Sequence, residues 1–355
     1  MKKIFTFSFI LAFLFAVKAQ DPHFTMFYQA PMQLNPALTG VFNGTYRANF
    51  LYRSQWGEVM RDESVRQFRT IAAGADFRIK VGKNAIGIGL AAMNDKAAQS
   101  EFGTTRGGLS LSYQQSLDKW GEHFLSVGLQ ADMIQRSFNP AGLRFGNQWN
   151  GVAYDPTLPQ DNPAYMASLN ENFVFFTAGA GLLYYYSSRN NRTSLYFGGS
   201  VHHVNQPNQS FGTADARLPM RYVVHSGVNF PIAKAVDLLP KFLFQAQGQS
   251  VETIFGSDLR FIIDPKDPKV SAFKIGAMYR MVGGLNVSNE NSFGSESLAV
   301  IAGVDYRGLM FGFAYDINIS QNMPATLSRG GFEVGVTYVG QTSKKYKDNA
   351  NCPVF

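Results

Sequence analysis

The sequence contains one cysteine, Cys352, which excludes an internal disulfide framework and any cysteine-based zinc or iron-sulfur site. Charge is also scarce: 16% of the 355 residues are Asp, Glu, Lys or Arg, against about 25% in an average soluble protein. Beyond the N-terminus no apolar run reaches the roughly 18 residues of a transmembrane helix, and the mean hydropathy is -0.11, so a membrane helix bundle is excluded. Helical periodicity is nearly missing. What is abundant is glycine (34), phenylalanine (31) and tyrosine (16), and a chain that is 14% aromatic is not disordered. At about 150 residues per domain, length alone allows two or three ordinary domains or one large β architecture.

Lys2 and Lys3 precede an apolar run from Ile4 to Val17, and Val17-Lys18-Ala19 places small residues where a signal peptidase reads. Residues 1–19 are therefore expected to be an export signal, with Gln20 as the mature start. No cysteine follows the apolar run, so lipid attachment is not indicated. Loss of Lys2, Lys3 and Lys18 lowers the formal charge from +7 to +4. That small excess has no clustered basic face and gives no case for nucleic-acid binding.

From Thr45 onward apolar residues alternate with small or polar ones, the period of strands with two different faces. Leu125, Val127, Leu129, Ala131 and Met133 alternate with Ser126, Gly128, Gln130 and Asp132. Phe332, Val334, Val336 and Tyr338 alternate with Glu333, Gly335 and Thr337. Strands are expected near 45–56, 68–80, 85–92, 105–115, 123–134, 173–185, 193–203, 221–230, 238–247, 253–263, 270–280, 297–305, 309–317 and 330–339. Connections after even-numbered strands are short and turn-rich, whereas those after odd-numbered strands are mostly longer, with 248–252 the exception. A soluble β-sandwich has no reason to segregate its loops in this way. The pattern predicts an all-β fold: a transmembrane antiparallel β-barrel of about 14 strands in an outer membrane, in contact with lipid, with both termini periplasmic. The division expected is signal peptide 1–19, an irregular segment 20–44, the barrel 45–339 and a periplasmic tail 340–355.

Aromatic residues at predicted strand ends, Tyr46, Trp56, Trp120, Tyr184, Tyr185 and Tyr338, suit interfacial girdles or ordinary cross-strand packing. Two segments fall outside the alternation. Gln20 to Gly40 carries Phe24, Met26, Phe27, Tyr28, Met32 and Leu34, broken by Pro22, Pro31 and Pro36. So much apolar surface either enters the barrel mouth, for stability or as a plug, or meets a partner. Gln135 to Asn172, with Phe145 and Trp149, is too long for a turn and is expected to be an exterior binding loop. The candidate partner-binding residues are Phe24, Phe27, Tyr28, Leu34, Asn35, Pro36, Phe145 and Trp149, joined by Lys344 and Lys345 in the tail. That tail either docks on periplasmic components or is a solvated end, and Cys352 is inert, buried or bonded to another chain.

Catalysis finds little support. No His-Glu-x-x-His, Gly-x-Ser-x-Gly, P-loop or dinucleotide fingerprint occurs among the five histidines and their surroundings. Adjacent strand residues point to opposite faces, so His202 and His203 should not share a metal without a bulge. Ser200 and His202 share one face, the spacing of a lipid-facing hydrolase, but also a common accident. The expectation is a non-enzymatic protein with no cofactor.

Asp21-Pro22-His23-Phe24, Phe27-Tyr28 and Leu34-Asn35-Pro36-Ala37 with Gly40 resemble the N-terminal signature of the PorP/SprF family of type IX secretion outer-membrane proteins. Tyr52-Arg53-Ser54-Gln55-Trp56 is similar to its first-strand motif, and Leu143-Arg144-Phe145-Gly146-Asn147-Gln148 to its loop motif. Ala180 to Tyr185, Gly198 to Pro207 and Cys352-Pro353-Val354-Phe355 resemble further family segments, so the likeness spans nearly the whole mature chain. The resemblance implies a Bacteroidetes-type bacterium and a role in exporting, retaining or anchoring large surface proteins, often gliding adhesins, together with periplasmic secretion or motility subunits. The alternative is an outer-membrane transporter or porin for a small solute, with 20–40 as its plug.

Overall fold

Alternation at period two becomes two physically different faces. In β5 (His123–Ser137), Val127, Leu129, Ala131 and Met133 are exposed and Leu125 is half-buried, while Phe124, Ser126, Gln130 and Asp132 are buried. The same division runs through β1 (Tyr46–Gln55), β2 (Phe68–Val81), β3 (Asn84–Ala97), β4 (Phe102–Ser116), β6 (Asn172–Ser187), β7 (Ser194–His202) and β8 (Arg221–Ala233). It continues through β9 (Val236–Gln247), β10 (Ser250–Ile262), β11 (Ser271–Gly284), β12 (Phe293–Tyr306), β13 (Leu309–Asn318) and β14 (Arg329–Gly340). These fourteen strands form a closed antiparallel barrel in sequence order. The computed structural model describes residues 20–57, 67–97, 102–140, 143, 145–159, 163, 168–263, 271–284, 293–321 and 323–341.

Closure is made by β1 and β14, paired from Tyr46↔Gly340 to Gln55↔Gly331. In hydrocarbon an open strand edge would leave its N–H and C=O groups without partners, so closure is what makes a spanning sheet possible. The outward face is correspondingly apolar, with Phe77, Leu90, Leu111, Leu129, Phe176 and Phe230 all exposed. Among the described residues no helix is long and apolar enough to cross a membrane.

The expected asymmetry of connections is largely present. Residues 82–83, 234–235 and 307–308 make tight turns at one end, and 138–171 and 203–220 make the longest loops at the other. One expectation is corrected: the connection after β3 is not a long loop but residues 98–101. Asp95 and Thr104, and Lys96 and Gly103, continue the backbone ladder past the point where apolar alternation lapses. A hairpin arm that projects beyond the lipid is wet on both faces, so its sequence loses the pattern while its backbone pairing persists.

At the short-turn end Tyr46 and Tyr338 meet on the outer surface as tilted rings with centroids 6.0 Å apart, Phe77 lying 6.5 Å from Tyr46. Tyr184 also faces outward, bonded to His123 Nδ1 at 2.7 Å. Tyr185 does not belong to a girdle. As the next residue along the strand it is turned into the lumen, fully buried, where its hydroxyl donates to Gln114 Oε1 at 3.2 Å. In the turn between β4 and β5, burial pushes the Asp118 carboxyl up. The N–H groups of His123, Glu122 and Trp120 outweigh this and hold it below the usual carboxylate range.

Candidate functional site

Residues 20–42 run through the lumen of the barrel. Proline at 31 and 36 occupies the first positions of two short helical turns, Pro31–Leu34 and Pro36–Leu38, where its missing N–H costs nothing. Asn35 caps the second by accepting the Ala37 N–H at 2.9 Å. The segment cannot extend the sheet, and its backbone groups must be satisfied by the wall instead.

At the long-loop half of the lumen the anchor is ionic. Glu333 on β14 accepts the N–H groups of Thr25 at 2.7 Å and Met26 at 2.8 Å, and also pairs with Arg53 on β1. Asp316 on β13 accepts the Thr25 hydroxyl at 2.7 Å and lies 3.0 Å from both Arg53 and Arg280. Asp21 N–H donates to Gln247 Oε1 at 2.7 Å, and the Asp21 carboxylate lies 2.8 Å from His203 and 3.7 Å from Arg221. The described chain therefore begins among the long-loop ends of β7, β8 and β9, whereas β14 ends at the short turns. The segment traverses the lumen before entering β1.

Further along, contact becomes close and nearly neutral. Ser200 Oγ donates to Leu34 O at 2.8 Å and Ser126 Oγ to Ala37 O at 2.7 Å. Ser112 Oγ and Gln114 Nε2 both donate to Thr39 O, at 2.6 and 3.1 Å. Arg47 holds Asp76 through Nε and Nη2 at 2.9 and 2.7 Å, and Asp76 in turn accepts the Gly40 N–H at 2.7 Å. Glycines in the wall permit this approach: a Cβ on Gly128 would stand 2.3 Å from Ala37 N, and one on Gly87 2.3 Å from Thr39 O. Gly40 itself has φ +72 and lies against Gly87, a position closed to a side chain.

Asn35 is the most enclosed of the sequence-predicted residues. Its Nδ2 donates to Leu182 O at 3.1 Å and Gly199 O at 3.2 Å, across the β6 and β7 pair, and faces His225 Nε2 at 3.0 Å. Asn35→Ala is expected to cost about 1–3 kcal/mol, the range for orphaned buried polar partners. Asn35→Asp should cost more, because a carboxylate cannot donate to the two carbonyls. Unfolding midpoints of the detergent-solubilised barrel check both, and an Asp variant as stable as the parent would contradict this bonding.

Phe24, Phe27, Tyr28, Leu34 and Pro36 are likewise buried against the lumen wall, and Lys241 Nζ sits 3.4 Å above the Tyr28 ring. Phe145 and Trp149 lie apart from them on the long loop, Phe145 half-buried and Trp149 exposed. Lys344, Lys345 and Cys352 lie outside the described residues, as does the signal segment. His202 and His203 do not face opposite ways as expected: both are buried, because β7 ends at His202 and His203 adopts φ 59, which turns it back inside. Ser200 and His202 face the lumen rather than lipid, and both approach Leu34 O, at 2.8 and 3.3 Å.

Below the segment, at the short-turn end, lies a cavity of about 1450 Å³. Tyr28, Gln29 and Pro31 form part of its lining, and Arg189, Arg192, Arg260, Lys274 and Arg307 bring positive charge to it. Arg192 is paired with Asp237 at 2.9 Å and Lys274 with Asp305 at 2.9 Å. Arg189 and Arg307 sit at the rim in the turns after β6 and β12. Sequence reasoning missed these residues and the inward Glu333, Asp316 and Arg280. For those on strands, Arg260, Lys274, Arg280, Asp316 and Glu333, the signal is a charge within an apolar alternation; Arg189, Arg192 and Arg307 lie in turns and carry no such mark.

Among solved structures, the chain is similar to the CymD monoaromatic hydrocarbon channel, with a TM-score of 0.48 and 10% identity over 90% of this chain and 94% of that one. It is also similar to the Ralstonia pickettii toluene transporter TbuX (TM-score 0.42, 10% identity, 86% and 92% covered). CdiB from Escherichia coli follows (TM-score 0.42, 11% identity, 82% and 63% covered). No curated protein matches the chain in sequence. The type IX secretion system membrane protein PorP/SprF family model matches residues 16–338, and the chain belongs to that family.

Proposed function

We propose that this outer-membrane barrel is a non-enzymatic receptor of the type IX secretion machinery. It binds an end of a large exported surface protein, such as an adhesin, and couples it to periplasmic subunits. The observation that supports this reading is the division of the lumen. The long-loop half and the centre are occupied by the chain's own segment, bonded to walls as far apart as Leu182 on β6 and Glu333 on β14, while a cationic cavity remains at the short-turn mouth. A route for free solute would need an open path, whereas a closed barrel with a deep charged pocket suits a bound polypeptide end. With the short turns in the periplasm, Arg189 and Arg307 face that compartment and favour an acidic segment or a free carboxylate. Phe145 and Trp149 on the long loop, with Lys344 and Lys345 in the tail, are further contacts in this reading, the loop serving exterior cargo and the tail the periplasmic side.

Affinity capture of the tagged protein from detergent-solubilised outer membranes, followed by mass spectrometry, tests it. A very large surface protein or periplasmic secretion subunits should be retained. The double variant Arg189→Glu, Arg307→Glu should lower their recovery on the order of tenfold, by placing like charge before an acidic partner. Capture of the barrel alone would favour the small-solute transporter instead.

A further inference from the structure

We propose that the lumen holds a divalent transition cation between the N-terminal segment and the wall, ligated by His23, Glu252 and Glu296. One ring nitrogen of His23 and one carboxylate oxygen from each glutamate lie within 4.8 Å of one another, a span that one ion bridges after small side-chain rotations. The three come from separate parts of the chain: the segment, the start of β10 and the start of β12.

Three further observations point to a ligand there. First, His23 Nε2, Glu252 Oε2 and Glu296 Oε2 are all buried without a hydrogen-bond partner, and Glu252 is 1% exposed. The charged neighbours of these oxygens make ion-pair contacts without hydrogen-bond geometry: Glu252 Oε2 lies 3.0 Å from His23 Nδ1 and 4.0 Å from Arg280 Nε, and Glu296 Oε2 lies 3.7 Å from Arg280 Nη1. Buried acceptors left with free lone pairs are costly unless a cation or donor meets them.

Second, Glu296 is aimed inward by a local irregularity. Arg280 pairs with Ser297 and Met281 with Ser295, so Glu296 is the extra residue of a bulge. Strict alternation would put it on the face opposite Ser297, yet its carboxylate lies 3.7 Å from the buried Arg280. Bulges commonly re-aim a side chain at a site.

Third, the charge around the cluster does not balance. Glu252, Glu296, Asp316 and Glu333 bring four negative charges, while Arg53 and Arg280 bring two positive ones. Arg280 makes its short contact with Asp316 at 3.0 Å and stands back from Glu252 at 4.0 Å. A divalent ion supplies the missing two charges. One imidazole with two carboxylates suits Zn²⁺, leaving a fourth position for water. The ion would tie residue 23 to the wall beside the Thr25 and Met26 anchor.

Zn²⁺ is the probe. The full-length mature protein, purified in detergent and stripped with chelator, is titrated with ZnCl₂ by calorimetry. The parent should take up one ion per chain. Glu296→Gln, whose carboxylate is partly accessible and whose loss leaves the wall ladder intact, should weaken uptake by about a hundredfold or more. His23→Ala should act alike, with folding of each variant checked by its heat-dependent migration in gels. Excess Zn²⁺ should also raise the unfolding midpoint of the parent and of neither variant. No uptake by the parent, which would mean that protons balance the carboxylates, or uptake unchanged in both variants, would overturn the proposal.

Discussion

Glu333→Ala releases the N-terminal segment from the barrel. The carboxylate is fully buried and holds three groups at once: the N–H of Thr25, the N–H of Met26 and the guanidinium of Arg53. Alanine leaves Arg53 with Asp316 and the Thr25 hydroxyl, without its second carboxylate, and two segment N–H groups without acceptors. Removing one partner of a buried ion pair costs about 3–5 kcal/mol, and orphaned buried donors add about 1–3 kcal/mol each. The wall itself is not broken, since β14 is held to β1 and β13 by backbone ladders that do not involve this side chain. The expected result is therefore selective. The variant keeps the heat-dependent gel migration of a closed barrel, but residues 20–42 become open to protease and the barrel conducts ions in planar bilayers. Glu333→Gln, which still accepts hydrogen bonds, should be intermediate. A Glu333→Ala barrel that stays protected and silent would show that this anchor does not hold the segment.

That anchor also shows where sequence reasoning stops. Phe332, Val334 and Val336 around Glu333 are enough to place a strand and to say that Glu333 points away from lipid, because alternation is a local property of the backbone. What Glu333 binds is not local: Thr25 lies 308 positions away. All fourteen strands were legible for the first reason, and the lumen network was not for the second. The apolar, proline-broken character of 20–40 showed that it must be covered, but covering by a partner and covering by the barrel look alike in sequence. His203 was misjudged because a positive φ at a strand end leaves no mark on the alternation. Glu296 escaped for a related reason: a bulge shifts a side chain between faces without altering the residues on either side.

A second large effect is expected from a residue with no side chain. Gly128 lies on the inner face of β5, where an added Cβ meets Ala37 N and Pro36 C, each at 2.3 Å. Both are backbone atoms, so no rotamer change relieves the clash; either the segment withdraws or the strand buckles. Overpacking of this kind costs about 1–3 kcal/mol, and Gly128→Val should fall at the upper end. Gly107 supplies the control. It lies on the outer face of the neighbouring β4, paired with Met133, and an added Cβ there meets nothing within 4 Å. Gly107→Val should stay within about 0.5 kcal/mol of the parent, as surface changes usually do. Gly181→Val tests the intermediate case, since its Cβ would strike the Asn35 carboxamide at 1.9 Å, a side chain that can move only by giving up its bonds to Leu182 and Gly199. Unfolding midpoints and bilayer conductance, measured together, distinguish the outcomes. Expulsion of the segment predicts a conducting Gly128→Val barrel beside a silent Gly107→Val one. Equal behaviour of the two would mean that the inner wall is not shaped to receive residues 36–37, and that glycine at 128 answers only to the curvature of the sheet.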